Sequence, residues 1–444
     1  MRTVPARQDR RWTCPPAVAR GLPPVFWWIW AGLLVNWLGA FAGPMLAFSL
    51  TADRGYSASA TGFVISLLGV GALAGNALGG LLADRAGRRR TLIAGHCCSA
   101  ASMALLGLAQ ERWTVAAAAF AVGLGSGAAR PAAGAALADV LPVRDRQRAF
   151  ALNYWAVNAG TAIASVLAGL MVVYGYTLLF LADAAATLLC ALLVWAKVPE
   201  TRPGPPGRGT VRQQDTVPVR KDRLFVLFVL LTAVFAVVFE QRSGALAMVM
   251  AQQGHSPALF SMVNALNALL VVVLQIPLTR LVEGRARDRV LLVAGLLAGA
   301  GFGLTAFAHS PAAYAGLVVV WTLGEMLQAP AGSAVTAERA PEHRRGRYLG
   351  AYGAAWSAAA FLGPAGGGWC LDQWGAPVLW ALCAVLGAAA GCGWLLIVAS
   401  KDFRTAPAVR GGSGPPHPEN HQENHQENHQ ENRHEHHREK GKIP

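Results

Sequence analysis

The sequence predicts an all-α membrane protein of twelve spanning helices in two six-helix bundles. Three observations predict it. Of 444 residues, 54% are hydrophobic and 14% charged, against about 25% charged in soluble domains. Apolar runs of about 20 residues, the length that crosses a bilayer, recur along the chain. Basic residues gather in the short hairpins at one side of these runs.

The expected spans are 25–50, 60–82, 91–109, 114–139, 150–173 and 177–197 in the first half, and 223–250, 259–281, 289–308, 312–337, 347–371 and 376–400 in the second. The runs are apolar all round, as lipid-exposed or fully buried helices are. The first run follows Arg2, Arg7, Arg10, Arg11 and Arg20 and lacks a small-residue cleavage site at signal-peptide distance, so it reads as a retained span. With an internal N-terminus, 34 of the 38 Lys and Arg fall on the inner side and only Arg54 and Arg112 on the outer side. That asymmetry places both termini in the cytoplasm of a bacterial-type plasma membrane. The net charge of +14 therefore marks topology and contact with anionic headgroups, and nucleic acid is not an expected partner.

The halves share a weak repeat. Arg89-Arg-Thr-Leu-Ile-Ala-Gly95 lines up with Arg289-Val-Leu-Leu-Val-Ala-Gly295, and Arg148 with Arg347. A duplicated six-helix unit, of the kind transporters are built from, predicts this pattern. The domain organisation expected is a cytoplasmic tail at 1–24, bundles at 25–197 and 223–400, a Pro/Gly/Arg-rich linker at 198–222, and a tail at 401–444. That tail carries near-copies of His-Gln-Glu-Asn from His421 to Asn432 and reads as a disordered polar repeat rather than a metal site. Of seven cysteines, six lie in apolar stretches without metal-ligand spacing and are expected to be free thiols.

Charged residues inside spans are costly unless paired or solvated, and so mark function. They are Arg130 in span 4, Asp183 in span 6, Glu240 and Arg242 in the outer half of span 7, and Glu325 in span 10. Arg130 and Glu325 fall at the depth of a central cavity. Glu325 is the leading candidate for a proton-coupling group, with Glu240 second, at the gate. Arg130 is expected as the counter-ion of Glu325 or as the binder of an anionic substrate group. Candidate cavity residues are Asn36 and Trp37 in span 1, Asn153, Tyr154 and Asn158 in span 5, Gln241 in span 7, and Asn264, Asn267 and Gln275 in span 8, joined by Trp321 and Trp356. Few polar groups in an apolar cavity suit a small amphipathic ligand. No P-loop, Gly-x-Ser-x-Gly elbow or His/Cys cluster occurs before the tail, so no enzyme activity, cofactor or metal is expected.

The hairpin after span 2 resembles a known family. Gly80, Leu82, Ala83, Asp84, Arg85, Gly87, Arg88, Arg89 and Leu92 match G-x-L-a-D-r-x-G-r-k-x-x-l, the loop motif of the major facilitator superfamily. The likeness covers about residues 25–400, and the chain resembles the drug:proton antiporters. It implies a monomeric secondary transporter for a small molecule, driven by protons and working by alternating access. It implies too that Asp84 latches the halves in the outward-open state against the start of helix 11, at Arg345-Gly-Arg347. Two family features depart. The antiporter Gly-Pro pair is missing from helix 5 and stands instead at Leu362-Gly-Pro-Ala-Gly-Gly-Gly368 in helix 11, and the helix 4 arginine motif gives way to Phe120. Gly125-Ser-Gly-Ala-Ala-Arg-Pro131 and Tyr154-Trp-Ala-Val-Asn158 resemble motifs of proton-coupled peptide transporters, although span 1 has no acidic residue. Peptide import is thus the alternative function, and a membrane sensor or scaffold without transport the alternative of another class.

Overall fold

The computed structural model describes residues 22–40, 42–201, 221–341, 345–400 and 403. The N-terminal tail, most of the linker and the His-rich repeat lie outside the described residues. All regular structure among the described residues is helical.

The first bundle holds α1 (Pro24–Leu38, resuming as Ala42–Phe48), α2 (Ala58–Arg85), α3 (Arg88–Leu108), α4 (Arg112–Asp139), α5 (Val143–Met171) and α6 (Tyr176–Lys197). The second holds α7 (Arg223–Glu240, resuming as Ala245–Gln252), α8 (Pro257–Val282), α9 (Arg287–Gly303), α10 (Pro311–Arg339) and the continuous segment Arg345–Ala399. That segment turns at Gly375, whose φ is +78°, into α11 (345–374) and α12 (376–399). Among the described residues, nine helical segments are long and apolar enough to cross a membrane. Dividing the last one, and adding the broken α1 and the alanine-rich α4, gives twelve.

Local chemistry sets the starts. The side chains of Ser57, Asp222, Ser256 and Ser310 each accept a hydrogen bond from a first-turn amide, satisfying a donor the helix cannot. Pro257 and Pro311 follow two of these caps, where a missing N–H costs nothing.

Two expected spans are broken. Span 1 was expected to run unbroken through 25–50, but α1 stops at Leu38, resumes at Ala42 and ends in a wide turn at Ser49–Asp53. Span 7 was expected as 223–250, but residues 241–244 form a turn within it. Hydropathy is blind to both breaks because the residues on either side stay apolar.

The bundles differ inside. In the first, glycines bring backbones together: a Cβ on Gly75 would lie 2.2 Å from the Leu124 carbonyl oxygen, and one on Gly123 would lie 2.1 Å from that of Leu68. In the second, large rings fill the centre, with Trp321, Trp380, Trp394, Phe235 and Phe302 fully buried. The bundles meet along α2–α11 and α5–α8, with Phe48 of α1 against Phe260 of α8, ring centroids 5.4 Å apart.

Candidate functional site

The break in α7 carries two of the charged residues within the spans, Glu240 and Arg242. Ser243 Oγ donates to Glu240 Oε2 at 3.1 Å. Arg242 Nη1 donates to Asn264 Oδ1 of α8 at 3.2 Å, and its guanidinium stands 5.2 Å from the Phe239 ring centroid. One turn along α8, Asn267 Nδ2 donates to Glu325 Oε2 and to Thr322 Oγ1, both at 3.0 Å. Arg242 attracts the Glu325 carboxylate and Glu240 repels it. α7, α8 and α10 thus share one polar cluster with two carboxylates and one guanidinium. Glu325 lies 14 residues from the Arg339 end of α10, about 21 Å at 1.5 Å per residue, which is mid-membrane depth.

This arrangement corrects one expectation. The cation beside Glu325 is Arg242 rather than Arg130, because the turn at 241–244 swings Arg242 towards α8. Arg130 belongs to the other bundle. α4 packs its Gly123 and Gly127 face on α2 and its Gly125 face on α3, which leaves Arg130 exposed on the remaining side. A Cβ on Gly134, one turn further, would meet nothing within 4 Å, so that side looks onto open space.

The other sequence candidates divide. Asn36 and Asn158 are half-buried. Trp37 packs on Gly160 of α5. Trp356 is half-buried, edge-on to Phe235 and Phe239. Gln241 is buried and donates to the Gly363 carbonyl at 3.0 Å, so it ties α7 to α11. Gln275 donates to the Met326 carbonyl, and Trp321 is a core ring stacked on Phe302; each contacts a neighbouring helix. Tyr154 lies in α5, and its side chain is outside the described ones. No group of three metal-ligating side chains occurs among the described residues.

Sequence reasoning left the Gly-Pro run of α11 without a partner. A Cβ on Gly363 would lie 2.7 Å from Glu240 Cβ, and one on Gly367 would lie 2.0 Å from Gln241 Oε1. Pro364 faces both Gly244 of α7 and Gly62 of α2. The run is therefore the seat on which the α7 turn rests. The turn residues Ser243 and Gly244, one after an Arg, were the available signal.

The two ends of the α2–α11 pair are unlike. At the end away from the Arg-rich hairpins, Ser66 Oγ donates to the Phe361 carbonyl at 2.6 Å, and a Cβ on Gly62 would lie 2.2 Å from the Pro364 oxygen. The same helix faces continue to Gly80, Gly350 and Gly353, where a Cβ would meet nothing within 4 Å. Asp84, at this basic end, is 76% exposed and pairs with Arg88 of the next helix at 3.1 Å. The expected contact between Asp84 and the start of helix 11 is not among those of the described residues. Among the other residues of the hairpin motif, Gly87 turns the chain with φ +104°, Arg88 also reaches Asp139 of α4, Arg89 holds the Trp195 carbonyl of α6, and Arg85 is exposed.

Comparison with known proteins agrees with this architecture. The family model described as Major Facilitator Superfamily matches residues 29–241 and 242–429. An uncharacterised MFS-type transporter of Bacillus subtilis, YttB, is 26% identical over 351 residues, 78% of this chain and 87% of that protein. The multidrug resistance protein MdtH of Salmonella typhimurium is 27% identical over 340 residues, 74% of this chain and 82% of its own length. A POT family transporter crystallised with 5-aminolevulinic acid superposes with a TM-score of 0.72 at 15% identity, covering 86% of this chain and 96% of that one; this likeness concerns the fold. With two matched halves and twelve helices in two bundles, the chain belongs to the major facilitator superfamily of membrane transporters.

Proposed function

We propose that this transporter exports a small amphipathic compound in exchange for protons, with Glu325 as the group that takes up and releases the proton. The observation that carries this is the Glu325 carboxylate at mid-membrane depth, bonded to Asn267 and acted on by Arg242. When Glu325 is ionised, Arg242 balances it; when it is protonated, Arg242 is free for Glu240 or a ligand. Arg130, on the wall of the other bundle, offers a second polar contact. The surrounding aromatic surface of Phe239 and Trp356 suits an apolar ligand body. The charge asymmetry of the loops puts the Arg-rich end, and so the open side of the site, in the cytoplasm. The likeness in sequence to a multidrug resistance protein favours export. The two bundles rock about the site, exposing it to each side in turn.

Purified protein in proteoliposomes tests this. Glu325→Gln should abolish dye movement driven by an imposed proton gradient while dye binding stays within a few-fold of the parent. Unchanged pH dependence would remove Glu325 from the mechanism. A second reading, peptide import, draws on Gly125-x-Gly-x-x-Arg-Pro131 and Asn158, and gradient-driven accumulation of dipeptides would establish it in place of export. Ligand binding without any flux would point to a sensor.

A further inference from the structure

Asp372 stands at the C-terminal end of α11, the end where a helix already presents partial negative charge. It reaches across to the other bundle. Its Oδ1 accepts from the Ala58 amide at 3.1 Å and its Oδ2 from the Ser59 amide at 2.7 Å. These are the first two amides of α2. The third, Ala60, donates to Ser57 Oγ, and Thr61 donates to the Ser57 carbonyl. The first three N–H groups of α2, which the helix itself leaves unpaired, are thus satisfied, two of them by a carboxylate of the opposite bundle. Beside this contact, a Cβ on Gly368 would lie 2.2 Å from the Ala58 carbonyl oxygen, so the helices touch at the backbone.

The spacing repeats at the other end. Gly80, Asp84 and Gly87 close α2 as Gly-x-x-x-Asp-x-x-Gly, and Gly368, Asp372 and Gly375 close α11 in the same way. Gly87 and Gly375 both have positive φ, +104° and +78°, so each hairpin turns directly after its aspartate. Because α2 and α11 run antiparallel, each aspartate sits at its own helix's negative end and near its partner's positive end. In this structure the Asp372 contact is made, while Asp84 is solvent-exposed and paired within its own hairpin.

We propose that Asp372 is a positioning residue for transport: it latches the outer side shut by capping α2, and this contact is exchanged for the Asp84 contact when the protein turns outward. The inference rests on alternating access, and not on the identity of the substrate or the driving ion. Opening the outer side strips two charge-assisted hydrogen bonds from the α2 start. Their loss is expected to shift the balance between the states about tenfold.

Hydrogen exchange of the full-length protein in nanodiscs, without substrate, tests this. Asp372→Ala should speed exchange about tenfold at residues 58–62 and slow it at 80–86 and 345–350. Asp84→Ala should do the reverse. Ala58→Pro removes one donor at a position that accepts proline, after an extended Ser57, and should act as Asp372→Ala does, more weakly, without touching the carboxylate. Exchange that is unchanged at 58–62, or that quickens at both ends together, overturns the proposal. Failure of proton-driven transport would leave these exchange patterns as they are, so the two readings fail separately.

Discussion

Each bundle pins its basic end with a buried arginine, and the two arginines are held very differently. In the second bundle, Arg339 Nε and Nη2 each bond to the Asp222 carboxylate at 2.9 Å. Tyr348 OH donates to the same carboxylate at 3.2 Å, and Arg339 lies over the Phe403 ring and bonds to the Phe403 carbonyl. The side chains of this pair are 5% and 6% exposed. In the first bundle, Arg88 Nε makes one bond to Asp139 at 3.1 Å, with the carboxylate 27% exposed, and shares itself with Asp84 and the Ala83 carbonyl. The first is a closed knot joining the start of α7, the end of α10, α11 and the segment after α12. The second is a more exposed hub at the hairpin, where one arginine is shared between two carboxylates and a carbonyl. One bundle closes its basic end with a buried pair, and the other holds it with carboxylates that stay open to solvent.

The largest effect expected follows from that contrast. Asp222→Ala removes the two hydrogen bonds that hold the buried Arg339 guanidinium to this carboxylate and the cap of Phe225 N. Breaking a buried pair by removing one partner costs about 3–5 kcal/mol. Thermal unfolding of the detergent-solubilised protein should show a large drop in Tm, and a Tm within a degree or two of the parent would mean that the knot is ornamental. The next effect concerns the packing of the first bundle. Gly75→Val puts a Cβ 2.2 Å from the Leu124 carbonyl and 2.9 Å from the Ala128 amide nitrogen. Backbone cannot yield as a side chain does, so overpacking of about 1–3 kcal/mol is expected, read as a lower Tm. Gly80→Val on the same helix, where a Cβ meets nothing within 4 Å, should leave Tm nearly unchanged. Equal losses at both positions would show that the effect is helix propensity and not the α2–α4 contact.

What the sequence made legible was whatever the lipid dictates. Apolar length, the basic hairpins and the Gly80–Arg89 motif led to the spans and the family, because a bilayer allows few alternatives. The charged residues Arg130, Glu240, Arg242 and Glu325 stood out for the same reason. Their pairing did not, because it depends on the α7 turn at 241–244, which no apolar count reveals. Arg130 and Glu325 looked like partners by depth alone, yet depth says nothing of which bundle wall a residue faces. Asp372 was passed over because it sits at a helix end, where a carboxylate is unremarkable until the helix it touches is known. The Gly-Pro run in α11 looked like a displaced motif, and its meaning came only with the residues seated on it.

The smallest effect expected sharpens the comparison most. Asp139→Asn removes the charge of a partly exposed partner, while Arg88 keeps Asp84 at 3.1 Å and the Ala83 carbonyl at 2.7 Å. Such a pair contributes about 1 kcal/mol or less, so Tm should fall by only a few degrees. The pair Asp139→Asn and Asp84→Asn should then cost more than the two singly, because together they leave a buried guanidinium with no carboxylate, and a double-mutant cycle in thermal unfolding reads the excess. Strict additivity would mean that Arg88 does not exchange one aspartate for the other, and the hub would be as fixed as the Arg339 knot.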